Sequence, residues 1–72
     1  MDLNGFDAQL YANLRTLILN DELSESAPAY NIAMQVVRLG YLSLPWPQRF
    51  VYQEEIVHPL RKRGLTAGEI RD

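Results

Sequence analysis

Two prolines flank the only tryptophan of this 72-residue chain, within the run Leu-Ser-Leu-Pro-Trp-Pro-Gln-Arg-Phe-Val-Tyr at residues 42–52. Each proline fixes φ near about −65° and pushes the residue before it toward extended geometry. Leu44 and Trp46 are therefore expected to form a short rigid elbow, with a helix starting at or near Pro47. Whatever fold the chain adopts must turn a sharp corner here and set out again as a helix.

Apolar spacing supplies the rest of the architecture. Phe6, Leu10, Leu14, Leu17 and Ile18 recur at helical intervals, with Asn4 or Asp7 available as a cap and Asn20-Asp21-Glu22 marking the end. A second helix is predicted from the region of Ser26 to Pro28 as far as Gly40, a suitable left-handed closing residue. Its strongly polar residues, Asn31, Gln35 and Arg38, lie on one narrow line, so this helix should be central. One apolar stripe (Ala29, Ile32, Ala33, Val36, Leu39) has small residues that admit a close neighbour. The other (Tyr30, Met34, Val37, Tyr41) is bulkier. The third helix is expected from Pro47 to His58 or beyond, burying Phe50, Ile56, Val57 and Leu60 and exposing Gln48, Glu54 and Glu55. Pro59 removes a backbone donor and should kink or break it near His58. Beyond Gly64, Thr66-Ala-Gly-Glu69 has the form of a capping box, with Ile70 to anchor a last short turn. The expectation is one all-α domain spanning residues 1–72, a small three-helix bundle with a Pro-Trp-Pro elbow and a short C-terminal turn.

A domain this small buries about 60–65% of the surface its unfolded chain exposes, and without cysteine no disulfide can help it. A dimer, a partner or efficient helix packing is the usual remedy. The absence of cysteine, of signal-peptide character in Met-Asp-Leu-Asn-Gly and of any apolar run approaching ~20 residues leads us to expect a cytoplasmic protein that does not enter a membrane. Charge is unevenly placed. Residues 1–30 hold five acids against Arg15, a net of −4, whereas residues 31–72 hold six bases against four acids, a net of +2. Arg61, Lys62 and Arg63 form a basic patch that suits phosphate or an acidic protein surface, or simply complements the end of a helix dipole.

Catalytic groups are sparse. His58 is the only histidine, so the usual His/Cys metal sets are impossible, and Glu54 with His58 reads first as a helix-supporting pair one turn apart. Ser24, Ser26 and Ser43 lack activating neighbours, and Gly5, Gly40, Gly64 and Gly68 are too scattered for a phosphate loop. We expect no enzyme, no cofactor and no metal site. The aromatic residues carry more information. Core is the first reading for Trp46 and Phe50. The second is a protein interface built on Trp46, Arg49 and Tyr52, with Tyr30, Met34 and Tyr41 beside them, since Trp, Tyr and Arg dominate interface hot spots.

Leu44-Pro45, then Arg49-Phe50-Val51, then Arg63-Gly64-Leu65-Thr66-Ala67-Gly68-Glu69-Ile70 resembles the opening of region 4 of bacterial sigma factors and related helix-turn-helix regulators, where L-P-x-x-x-R-x-V precedes a helix and G-L-[ST]-x-x-E-I-A. Here the two elements stand further apart, with Pro59 between them. In those families residues 64–70 would open the first helix of the reading unit. The resemblance thus implies an association with bacterial or phage transcription, but without a recognition helix for direct base readout. Our expectation is a small regulatory or adaptor protein acting by protein–protein binding, with RNA polymerase or a transcription factor as the partner class. The alternative is a homodimeric DNA-binding module that pairs through its second helix and presents Arg61, Lys62 and Arg63 to phosphates.

Overall fold

The computed structural model describes residues 6–68. Helix α1 (Ala8–Leu19) begins where Asp7 accepts a hydrogen bond from the Leu10 amide at 2.9 Å, so Asp7 is the cap. The Asp7 amide in turn donates to the Val37 carbonyl at 2.8 Å, tying the start of this helix to the next one. The end of α1 is a Schellman motif. Asp21 adopts φ 60°, the Glu22 amide reaches the Leu17 carbonyl at 2.8 Å, and the Asp21 amide reaches that of Ile18 at 3.1 Å. Aspartate is among the few residues other than glycine that enter this region readily, so the polar Asn20-Asp21-Glu22 sequence stops the helix and also orients Glu22.

Helix α2 (Pro28–Leu39) has proline in its first turn, where the missing amide would be unpartnered anyway. It buries Ala29, Ala33, Val36 and Val37. The expected polar line holds at Asn31 and Arg38, which are exposed, while Gln35 is half-buried and donates to the carbonyl and hydroxyl oxygens of Ser43. Leu39, assigned to the close-packing stripe, is instead 68% exposed, because the buried face shifts toward Val37 by the end of the helix. Gly40 closes α2 with φ 95° and ψ 158°. Its φ is positive as expected, but this ψ is far from a left-handed helical cap and reverses the chain into a 3-10 turn at Tyr41–Ser43.

A third helical run then occupies residues 46–62 as three continuous pieces: α3 (Trp46–Tyr52), a π turn (Gln53–Val57) and α4 (His58–Lys62). Near His58, where a kink or break is expected, the run is unbroken but leaves α geometry for one π turn. The His58 amide bonds the Gln53 carbonyl, five residues back, and this wider turn accommodates Pro59 where an α-turn would drive its ring into a carbonyl. Tyr52, Ile56, Val57 and Leu60 face the core from this run, together with Leu10, Leu14 and Leu17 of α1.

The last described residues form an extended strap docked on the helices. Asn13, the one buried polar residue among those described, donates to the Thr66 carbonyl at 2.8 Å and to its hydroxyl at 3.2 Å, and accepts from Gln9. Ala67 is buried, and its carbonyl accepts a hydrogen bond from the Tyr52 hydroxyl. Gly68 has φ 64° and lies so close to α1 that a Cβ there would stand 2.8 Å from Leu10 Cδ2. A right-handed helix cannot include that φ, so the capping box expected from Thr66 is not formed at Gly68; Glu69 and Ile70 lie outside the described residues. The described part of the chain is therefore all helix and connection, with no strand.

Candidate protein-binding surface

Residues 39–50 make the corner between α2 and α3, and their backbone is held from several directions. Ser43 Oγ donates to the Gly40 carbonyl at 2.7 Å. Pro45 is extended at φ −68° and ψ 160° and serves as the N-cap of α3, with Pro47 in the first turn. Arg49 reaches back across the corner: its Nε donates to the Leu44 carbonyl at 2.8 Å and its Nη2 to that of Leu42 at 3.2 Å. The same guanidinium stands 5.6 Å above the Tyr41 ring, a cation–π distance. Tyr41 packs in a tilted pair against Tyr52 at 5.7 Å and accepts a hydrogen bond from Gln53 Nε2. Leu44 is buried beneath the turn.

This bracing leaves large apolar side chains in water. Trp46 is 77% exposed, Phe50 65% and Leu42 66%, with Leu39 at the edge of the same corner. The core reading of Trp46 and the expected burial of Phe50 are both corrected by these values. The converse correction concerns Tyr52, expected to be exposed on the interface: it is fully buried, with its hydroxyl on Ala67. The cause is helical geometry, since Phe50 and Tyr52 are two residues and about 200° apart around the helix, so only one can face inward. Tyr52 wins because Ile56 and Leu60 continue its line and Ala67 satisfies its hydroxyl. That 52-56-60 spacing was the signal in the sequence that would have placed Phe50 outside.

Of the other candidate binding residues, Arg49 is half-buried and braces the elbow, and Tyr30, Met34 and Tyr41 are half-buried against the core. The structure brings Tyr41, Arg49 and Tyr52 together as a support and sets Trp46 outside it. Leu39 and Leu42 had not been read as surface, and nothing in their local spacing marks them as such.

The basic patch occupies the far end of the third helical run. Arg61 and Lys62 are exposed in the last turn of α4, at the negative end of its dipole. Arg63 makes a fork to Glu22, Nε to Oε1 at 3.1 Å and Nη2 to Oε2 at 2.9 Å. This hydrogen bonding holds the Glu22 carboxyl below its ordinary range and raises the Arg63 guanidinium above its own. An open cleft of about 460 Å³ lies between Glu22 and His58, Pro59, Lys62 and Arg63. A shallower one of about 260 Å³ runs along Gln53, Glu54, Val57, His58 and Arg61. Among the described residues no three His, Cys, Asp or Glu side chains converge as they would around a metal ion, and no helix is long and apolar enough to cross a membrane. Comparison with family models, with curated proteins and with solved structures finds no match.

Proposed function

We propose that this chain is a small non-enzymatic regulatory or adaptor protein that binds another protein through Trp46, Phe50, Leu42 and Leu39. One observation carries the reading: a tryptophan left 77% exposed on a corner whose backbone is fixed by two prolines and by Arg49. Rigid aromatic anchors lose little conformational entropy on docking, which is why such residues dominate interface energetics. Arg49 is the only charge between residues 39 and 53. It is turned onto backbone carbonyls, so the surface fits an uncharged apolar groove on the partner. The resemblance to sigma-factor region 4 supports a partner in the bacterial or phage transcription machinery, RNA polymerase or a transcription factor. The DNA-binding alternative draws less support, because Arg63 already holds the Glu22 carboxylate.

Binding to purified bacterial RNA polymerase, followed by surface-immobilised affinity measurement, tests the proposal. Trp46→Ser and Phe50→Ser are each expected to weaken binding by about 30-fold, the cost of truncating a central interface residue, with unchanged far-ultraviolet circular dichroism. Equal affinity for wild type and both variants, or salt-sensitive retention on DNA that Lys62→Ala abolishes, would overturn it.

A further inference from the structure

We propose that the strap at residues 65–68 sets the stiffness of the corner at residues 39–50, acting through Tyr52, Tyr41 and Arg49, which are positioning residues for the binding surface. The inference rests on the reading of that corner as a binding surface, and adds what controls it. The links are contiguous. The Ala67 carbonyl of the strap accepts from the Tyr52 hydroxyl, and the fully buried Tyr52 ring lies against that of Tyr41 at 5.7 Å. Tyr41 carries the Arg49 guanidinium 5.6 Å from its ring centre, and that guanidinium holds the carbonyls of Leu44 and Leu42. A cation sits best over the ring face, so the tilt of Tyr41 directs the fork that pins the two carbonyls. Leu42 and Trp46 spring from that stretch of backbone.

The strap is the end that moves. Helix α4 has a cap of its own, with Gly64 at φ 75°, its amide on the Arg61 carbonyl at 3.0 Å and the Leu65 amide on that of Leu60 at 2.9 Å. The strap beyond it can therefore lift without unwinding the helix. Among the described residues it is held from Thr66 onward by Asn13, Tyr52 and the buried Ala67 methyl, a small set of contacts of the kind that opens locally before the whole domain does. Lifting it removes the bond that fixes the far end of the Tyr52 side chain. Tyr52 is then free to tilt, Tyr41 follows, and the Arg49 fork loses its seat. Without that fork the corner relies on Gln35 and on short-range bonds, Ser43 to Gly40 and Leu44 to Tyr41, each 3.1 Å between backbone atoms. Linkage makes the coupling reciprocal: a protein bound at the corner holds the strap down by the same factor.

Amide hydrogen exchange of the full chain, followed residue by residue by NMR with no partner present, tests the coupling. Asn13→Ala removes the bonds to Thr66 and none of those in the Tyr52–Tyr41–Arg49 series. The Leu44 amide should then exchange about fivefold faster or more, the low end of the range for coupled sites, measured against the Tyr30 amide at the other end of α2, which reports opening of the whole domain. Tyr52→Phe keeps the ring without the bond to Ala67 and should have the same effect, which covers the case in which Asn13→Ala does not fold. In a Tyr41→Leu background the ring between strap and fork is gone, so Leu44 should already exchange faster and Asn13→Ala should add nothing. An unchanged Leu44 amide in a folded strap variant, equal acceleration at Leu44 and Tyr30, or a response to Asn13→Ala that survives Tyr41→Leu would each overturn the inference. The two readings separate cleanly: failure to bind polymerase leaves the exchange result standing, and an uncoupled corner leaves the proposed function standing.

Discussion

The corner at residues 39–50 and the strap at residues 65–68 are both irregular connections laid against helices, yet they use their side chains in opposite ways. In the strap, side chains from the helices reach out to its backbone: Asn13 takes the Thr66 carbonyl, Tyr52 takes that of Ala67, and the Ala67 methyl goes into the core. In the corner, most of the bracing comes from its own Ser43 and Arg49, with Gln35 of α2 reaching in to Ser43, and Leu39, Leu42, Trp46 and Phe50 are left outside. Satisfied backbone is thus common to both, and what differs is whether the satisfaction draws the segment into the core or frees its side chains for use elsewhere. The strap holds the domain together. The corner is held together so that something else can use it.

The largest expected effect belongs to the strap. Gly68→Ala places a methyl group 2.8 Å from Leu10 Cδ2 at a φ of 64° that alanine disfavours. We expect a loss of about 3 kcal/mol, from strain at the backbone and overpacking against α1, which urea denaturation should register as a lower midpoint. A loss under about 0.5 kcal/mol would mean that the strap is not fixed as described. The next effect sharpens the contrast. Arg49→Ala removes two hydrogen bonds to carbonyls of the corner and should cost about 1–2 kcal/mol, whereas Trp46→Ser should stay within about 0.5 kcal/mol. If Trp46→Ser proves the more damaging to thermal stability, the ring is part of the fold and the corner resembles the strap. Arg49, which from sequence alone looked like a clean interface probe, therefore mixes stability with binding.

The smallest effect concerns the Glu22–Arg63 fork. Because the folded Glu22 carboxyl titrates below its ordinary range, the stabilisation it brings is present at neutral pH and fades as pH falls through that range toward the lowered value. Glu22→Gln should therefore melt slightly below wild type at pH 7 and converge with it in acid. An equal difference at both ends would show that the fork contributes through packing alone. The pair is largely solvent-exposed, so the effect will be small and will shrink with salt.

The helices were legible because apolar spacing and caps are local: Asp7, the Asn20-Asp21-Glu22 stop, Pro28 and Gly40 each act within a few residues of themselves. The inward or outward sense of the aromatics was legible only in part. Phe50 and Tyr52 are both large, both helical and two residues apart; Ile56 and Leu60 continue the line of Tyr52 in the sequence, but the carbonyl that satisfies its hydroxyl comes from Ala67, fifteen residues beyond. Strap contacts were equally hidden, since Asn13 and Thr66 lie 53 residues apart and no pattern links them. Pro59 marked where the α-helix gives way but not how: the chain uses a wider turn and keeps the run continuous.

That wider turn also sets the phase of everything beyond it. Four residues of α-helix advance about 400°, so a stripe repeating every fourth position creeps about 40° per step around the axis. A π turn closes its ring with one more residue and advances less per step, which cancels that creep across residues 53–57. Tyr52, Ile56 and Leu60 consequently stay close to one line, and all three are fully buried. Were the same residues wound as ordinary α-helix, each step would advance further and the final turn would sit further round the axis, displacing Leu60 over the core and Arg63 relative to Glu22. The register of the basic end is therefore written in the middle of the helix, not at its tip.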